Sequence, residues 1–287
     1  MQRIVLTGSS GFIGSHFRED YGSQLTINTF SFLKDSLSSL SLDTTDAIIH
    51  LAGLVHQMGG AKEEAYIHDN VDNTLNLAKK AKEAGVKHFI FMSTVKVYGE
   101  ENSGVYTENS PCIAVDMYGK SKHKAEEALL LLEDENFTVS IIRTPIVYGE
   151  GVKANILKLI GIVDSIKILP FGNISNKRSM VYVKNITYLI FTLITQKKSG
   201  IFLASDDTTL STSEFIQSIA QALNKKTLLF NPYILAPLLH LVKNSIYKRL
   251  YLSLHVNNQQ TKTILSLKNP YSTQEGIKRT VLWYKAR

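Results

Sequence analysis

Apolar residues in the first half of the chain come as short runs separated by stretches of helical periodicity. Arg3-Ile4-Val5-Leu6 is rich in branched side chains and reads as a buried strand. The glycine-rich stretch Thr7-Gly8-Ser9-Ser10-Gly11-Phe12-Ile13-Gly14 follows, and Ile13 and Phe17 among Ser15, His16, Arg18 and Glu19 then read as a helix. Leu25 to Phe30 reads as a second strand. Ala47 to Gly53 reads as a third, ending in small residues. Within it, His50 reads as a satisfied core histidine rather than a ligand. Ile67, Val71, Leu75 and Ala78 repeat at helical spacing through a helix expected over Tyr66 to Ala84, which Gly85 ends. His88 to Met92 is the next strand and delivers Ser93-Thr94. Asp116 precedes a helix that carries Tyr118-Gly119-Lys120-Ser121-Lys122 and runs on through Ala125, Ala128, Leu129 and Leu132. Phe137 to Arg143 is a further strand.

Strands and helices that alternate through 150 residues imply an α/β fold with a doubly wound parallel sheet. The stretch from Lys34 to Asp46 is too short for a full helix–strand–helix, so this half of the sheet is expected to be abbreviated. Gly149-Glu150-Gly151 marks the passage to a second, smaller lobe. The expected division is a dinucleotide-binding domain over 1–150, to which 178–203 returns, and a mostly helical substrate lobe over 151–287. Beyond about residue 204 the pattern reads as a helical cap.

Charge is distributed unevenly. Residues 1–150 carry 13 Lys and Arg against 20 Asp and Glu; the remainder carries 19 against 5. A basic second half suggests an anionic partner: a phosphorylated small molecule, an acidic membrane surface or nucleic acid. Nucleic acid is set aside, because no basic block is interleaved with stacking aromatics. Residues 232–254 combine Ile234, Leu235, Leu238, Leu239, Leu241, Val242, Ile246, Leu250 and Tyr251 with Lys243, Lys248 and Arg249, a composition able to lie weakly on an acidic membrane. Pro237 argues against one continuous helix, and a cap over the substrate site or a contact with a dimer partner is the preferred reading. No run reaches the ~20 apolar residues that span a bilayer. The single Cys112 suits a reducing cytoplasm, and eight histidines show no metal-ligand spacing, so no metal is expected.

The glycine stretch has a chemistry of its own. Gly8 allows a sharp turn off the first strand, Gly11 lets a pyrophosphate approach the backbone, and Gly14 lets helix and strand pack closely. Free N–H groups at the helix start would then face the phosphates. After the second strand such folds usually place an acid to hold the adenosine ribose of NAD; Asn28, Thr29 and Ser31 stand there instead, with Lys34 beyond, so NAD and NADP both stay open. Tyr118 and Lys122 are four apart on one helix and share a face. A tyrosine is a poor base at neutral pH, its pKa being about 10. A nearby ammonium and a positively charged nicotinamide would lower that value. The phenol could then take a proton from a sugar hydroxyl while hydride leaves the same carbon, with Thr94 sharing the hydrogen bond to that oxygen.

In these motifs the chain resembles the extended short-chain dehydrogenase/reductase family, in particular its nucleotide-sugar epimerase, dehydratase and reductase members. The resemblance rests on the glycine stretch, His50-Leu51-Ala52-Gly53, Asn70-Val71-Asp72-Asn73-Thr74, Phe91-Met92-Ser93-Thr94-Val95-Lys96-Val97-Tyr98-Gly99, Tyr118-Gly119-Lys120-Ser121-Lys122 and Arg178-Ser179-Met180-Val181-Tyr182-Val183. It covers nearly the whole chain, down to Tyr271–Ile277 and Trp283-Tyr284. It implies a Rossmann-type domain holding NAD or NADP. By this resemblance Thr94, Tyr118 and Lys122 are catalytic. Gly8, Ser10, Gly11, Phe12, Ile13, Gly14, Leu51, Ala52, Gly53 and Asn70 surround the cofactor together with Tyr118 and Lys122. Asn155 and Arg178 hold a substrate diphosphate, Arg249 is a second phosphate candidate, and the segment of Leu169 and Phe171 meets uracil. A UDP-sugar substrate and a homodimer are the implied partners.

Family dehydratases place Asp-Glu directly after the serine or threonine, whereas Thr94 is followed by Val95-Lys96, which argues against dehydration. The segment looks most like UDP-hexose 4-epimerases and reductases of UDP-4-keto-6-deoxy-N-acetylhexoses. The resemblance therefore implies chemistry at C4 of a UDP-hexose or UDP-N-acetylhexose, 4-epimerase first and NADPH-dependent 4-ketoreductase as the alternative. A non-catalytic NADP-binding sensor is the remote third reading, since sensors of this kind typically lose the tyrosine–lysine pair.

Overall fold

A computed structural model describes residues 1–55, 61–100, 104–231 and 251–287. Six parallel strands form the central sheet: β1 (Arg3–Thr7), β2 (Thr26–Phe30), β3 (Ala47–His50), β4 (His88–Thr94), β5 (Thr138–Thr144) and a last strand, Gly200–Leu203. Their order is β2-β1-β3-β4-β5 followed by that last strand, so only two strands lie on the β2 side of β3, the short half expected from the sequence.

Burial on both faces explains the continuous apolar runs. Ile4 and Leu6 of β1 face one layer with Ile49, Ile90 and Ile142, against Phe17 of α1 (Phe12–Tyr21). Val5 faces the other, with Ile48, Phe89, Phe91, Val139 and Ile141, against Leu77, Ala78, Ala81, Ala125 and Leu129. Alternation along each strand thus divides one sheet between two cores.

The long helical stretch begins earlier than its apolar repeat suggests. It comprises α2 (Glu63–Ile67), one wide π-type turn over His68–Asp72, and α3 (Asn73–Glu83). The wide turn contains Asn70, which is fully buried. Helix α4 (Met117–Leu130) carries Tyr118 and Lys122.

Beyond β5, β6 (Ile146–Tyr148) leads to α5 (Ala154–Ser165) and the two-residue β7 (Ile168–Leu169). β8 (Met180–Tyr182) pairs with β6 rather than with the main sheet. Helix α6 (Val183–Gln196) packs on α1, where Tyr21 stacks on Phe191 at 4.3 Å and Lys184 pairs with Asp20 at 3.0 Å. Strand β9 (Gly200–Leu203) then joins the sheet beside β5. Helix α7 (Thr212–Ala222) starts on a capping box of Ser211 and Glu214. β10 (Leu228–Leu229) pairs with β7, and α8 (Gln259–Leu265) and α9 (Thr273–Lys285) follow. Buried Asp206 ties the second half together: it accepts from the Tyr148 hydroxyl, the Tyr182 N–H and the Asn185 amide.

Among the described residues no helix is long and apolar enough to cross a membrane. The amphipathic stretch singled out at 232–254 lies outside the described residues up to position 250, and Arg249 with it.

Candidate active site

The glycine turn is shaped so tightly that side chains are excluded. Gly8 adopts φ +68°, and a Cβ there would stand 2.8 Å from the Ala52 nitrogen; one on Gly14 would stand 2.2 Å from the Gly8 carbonyl oxygen. Gly11 precedes α1 without any side-chain cap, and the first turn of α1 carries no acid. Uncapped N–H groups with no competing carboxylate are what a pyrophosphate needs. Ser10 is exposed at this turn, Phe12 and Ile13 are half-buried, and Gly14 is buried.

Next to the turn, buried hydrogen bonds order the ends of β1 and β3. The Ala52 N–H donates to Thr7 Oγ1 at 3.1 Å, and Thr7 meets His50 Nδ1 at 2.7 Å. His50 Nε2 meets Thr74 Oγ1 at 2.9 Å, and Thr74 donates to the Asn70 carbonyl at 2.8 Å. Thr74 has given its proton away, so His50 must donate through Nε2 and accept through Nδ1. Burial, then the Lys122 charge, lowers its pKa to about 3, so it stays neutral. His50 is a satisfied core residue, as read from the sequence. The Asn70 amide donates to the Leu54 carbonyl and to Ser121 Oγ, both at 3.0 Å, and accepts from the Leu54 N–H at 2.8 Å. The segment Leu51-Ala52-Gly53-Leu54 is thereby pinned against α4. A Cβ on Gly53 would stand 2.7 Å from Asn70 Oδ1 and 3.0 Å from Lys122 Nζ.

These elements open on a cleft of about 410 Å³ at the carboxyl ends of the strands. Ile13, Leu51, Gly53, Thr94, Tyr118 and Lys122 line it, together with Thr144 to Val147, Asn155, Arg178 and Leu254. Open α/β sheets bind ligands at such strand ends. The dinucleotide fits here on three counts: the side-chain-free turn, the uncapped helix start and the small residues after β3.

The Thr94 hydroxyl and the Tyr118 phenol line the same cleft. From the sequence, a neighbouring ammonium together with a charged nicotinamide is expected to lower the phenol's pKa, and the protein's own groups do not do so. Instead it is pushed up to about 12. Burial is the largest cause, the Thr94 hydroxyl opposes it, and Asp116 and Tyr66 add to the rise. Lys122 is turned toward β4: it donates to the Met92 carbonyl at 3.0 Å and lies 4.5 Å from the centre of the Phe91 ring. Burial lowers its pKa to about 8, with Glu126 pulling it back up.

Arg178 is held at the cleft wall by its main chain, which bridges Leu210 and Leu254, and by an NH1 bond to the Leu252 carbonyl at 3.2 Å. Asn155 opens α5 directly after Ala154, whose φ of +53° is strained for a residue with a Cβ. Leu169 and Phe171 are not among the residues lining the cleft: Leu169 is buried in the core and Phe171 packs against it.

Two features escape sequence reading. Asp35, four residues past the expected position, folds back so that its carboxylate accepts the Ser31 N–H at 2.9 Å. An acid therefore does stand at the end of β2, brought by a tight turn. Behind the cleft, Glu126 and Arg143 form a buried pair at 2.6 Å; Glu126 also accepts from Ser93, and Arg143 also donates to the Tyr98 hydroxyl at 2.7 Å. Cys112 and His123 approach Glu126 closely enough to suggest a metal, a grouping that spacing along the chain does not reveal. The guanidinium already neutralises that carboxylate, which works against a cation there.

The profile of the NAD dependent epimerase/dehydratase family matches residues 4–203. UDP-glucose 4-epimerase of Vibrio cholerae is 36% identical, over 96% of this chain and 94% of its own length. In fold, the chain is similar to UDP-glucuronic acid 4-epimerase from Bacillus cereus in complex with NAD, with a TM-score of 0.79 at 19% identity and 99% of each chain covered. It is also similar to RMD from Pseudomonas aeruginosa complexed with NADPH, with a TM-score of 0.81 at 19% identity over the whole of both chains. The glycine turn, the strand-end cleft and a profile match spanning most of the chain agree: the protein belongs to the NAD dependent epimerase/dehydratase family.

Proposed function

We propose that this chain is an NAD(P)-dependent enzyme that inverts C4 of a UDP-hexose or UDP-N-acetylhexose. The observation that carries the reading is the convergence of Thr94, Tyr118 and Lys122 on one cleft that Asn155 and Arg178 also line. Its substrate class follows the 36% identity to the Vibrio cholerae UDP-glucose 4-epimerase over nearly the full length of both chains. In this reading residues 1–150 serve the cofactor and 151–287 the substrate, and the protein works in the cytoplasm.

A bound nicotinamide would supply reversible hydride acceptance at the sugar carbon. The residues of the chain supply proton transfer and grip. With a pKa of about 12 the Tyr118 phenol holds its proton, so by itself it is set up to return a proton to O4. To act as the base it needs positive charge nearby, which a bound nicotinamide would supply, with Lys122 lining the same cleft. Thr94, in the same cleft, offers a hydroxyl to the oxygen that the phenol serves. Arg178 suits a diphosphate because a guanidinium binds phosphate through two parallel bonds. A diphosphate held at the cleft wall leaves the hexose free to present either face, which inversion requires. Asp35 at the end of β2 suits a ribose with a free 2′-hydroxyl, and so NAD.

Incubation with UDP-glucose, UDP-N-acetylglucosamine and UDP-glucuronic acid, each with NAD and with NADP, tests the reading. Interconversion of C4 epimers without net oxidation is expected. Stoichiometric NADPH consumption on a UDP-4-keto sugar would replace it with the ketoreductase.

A further inference from the structure

We propose that Lys96 is a positioning residue that fixes the Thr94 and Tyr118 hydroxyls relative to each other and screens the Asp116 carboxylate from the phenol. The inference rests on the reading of Tyr118 as the proton-transfer group. In the sequence Lys96 only sets the chain apart from dehydratases, and it has no part in the cofactor or substrate roles given above.

Three contacts carry the inference. The Lys96 main-chain N–H donates to Thr94 Oγ1 at 3.3 Å. That occupies an acceptor site on the threonine and leaves its own proton to point elsewhere, toward the phenol. The Lys96 carbonyl lies where a Cβ on Gly119 would be, 2.7 Å away, so the first turn of α4 rests directly on Lys96. The Lys96 ammonium pairs with Asp116 and, at 3.3 Å, with Glu100. Asp116 in turn caps α4 by accepting the Gly119 N–H at 2.7 Å. One residue therefore grips both the strand end that carries Thr94 and the helix turn that carries Tyr118.

An isolated pair of this exposure contributes little to stability. Its consequence here is electrostatic. Around Tyr118 stand Asp116 from the loop before α4 and Tyr66 from α2, with ring centres 6.5 Å apart; Lys122 from α4 and Lys96 with Glu100 from the turn after β4 line the same cleft. Of these, Asp116 opposes loss of the phenolic proton, and Lys96 is the cation paired to it. Removing the ammonium leaves Asp116 unscreened, while its other oxygen still caps α4.

The test is a titration of tyrosine-13Cζ-labelled protein between pH 9 and 12.5 without substrate, read as the fraction of Tyr118 ionised at each pH, the Tyr118 signal being assigned by its loss in Tyr118→Phe. Asp116→Asn should titrate at lower pH than the wild type. Lys96→Met should titrate higher, by about one pH unit for the loss of one neighbouring charge. Lys96→Arg should restore wild-type behaviour, and Lys96→Met with Asp116→Asn should follow Asp116→Asn alone. If Lys96→Met does not fold, Lys96→Gln answers the same question. Turnover of Lys96→Met should fall about tenfold, with an unchanged KM for the nucleotide sugar, because the change acts on proton transfer. Lys96→Met and Lys96→Gln titrating with the wild type would overturn the inference. The titration needs no sugar, so a wrong substrate class would leave its outcome intact.

Discussion

The Lys122 ammonium donates to the main-chain carbonyl of Met92 at 3.0 Å, two residues before Thr94. The helix that carries the phenol is thus fastened to the strand that carries the threonine. Burial lowers the lysine pKa to about 8 from the 10.5 of an open chain. Between those values the unfolded chain holds a proton that the folded protein has released, so this group adds stability as pH rises through the window. Its burial weighs fully against folding below pH 8. Urea midpoints from pH 7.5 to 10, wild type against Lys122→Met, should diverge in favour of the wild type with rising pH, by at most about 1.4 kcal/mol per pH unit. Parallel curves would show that the ammonium is not desolvated.

The acid limb is set by histidines. Burial holds His50 at about 3 and His88 at about 4, each with a smaller contribution from a lysine. Ser140 donates to the Lys198 carbonyl, so His88 Nε2 donates to Ser140 Oγ at 2.7 Å, and its Nδ1 is buried without a hydrogen-bond partner. Both rings stay neutral while the unfolded chain takes up protons below pH 6.5, so stability is complete above that value and falls as pH drops toward 4. His88→Leu should remove about one proton from the slope of stability against pH between 6.5 and 4.5. An unchanged slope would place the proton uptake elsewhere.

Glu126 and Arg143 are both nearly inaccessible, at 1% and 3% exposure. Truncating one partner leaves a buried charge uncompensated, so Glu126→Ala and Arg143→Met should each cost about 3–5 kcal/mol in denaturant unfolding. The double variant should be less destabilised than the two single losses together, because it leaves neither charge behind. Strict additivity would mean the pair does not act as a unit.

Tyr118→Phe removes the phenolic oxygen and leaves the ring in the cleft wall. Dinucleotide binding, measured by calorimetry, should survive. Turnover should fall by about 10²–10⁴-fold, the usual contribution of a positioned acid–base group. Loss of cofactor binding in this variant would give Tyr118 a structural task.

The sheet and the glycine turn were legible because burial on both faces writes continuous apolar runs and because close packing admits only Gly at positions 8 and 14. The Tyr118–Lys122 spacing was legible for the same local reason: four residues on a helix share a face. What the chain hides is non-local. The wide turn around Asn70 leaves no mark in the apolar repeat, since its purpose is to reach Leu54 and Ser121. Asp35 reaches the end of β2 through a turn rather than through the strand register. The direction of the Tyr118 shift depends on how much protein surrounds the phenol, which spacing cannot show. Val181-Tyr182-Val183 and the helix after it read as a return to the first domain; β8 pairs with β6, while α6 packs on α1 and β9 joins β5.

The central claim is that hydrogen leaves C4 of a nucleotide-linked hexose and returns to the same carbon from the other side. UDP-glucose deuterated at C4, incubated with the protein and its bound dinucleotide and followed by mass spectrometry and proton NMR, tests this directly. The account predicts UDP-galactose that keeps deuterium at C4, with no net change in reduced cofactor. Product carrying protium at C4, or a UDP-hexose pool left unchanged at C4 across glucose, N-acetylglucosamine and glucuronic acid, would contradict it.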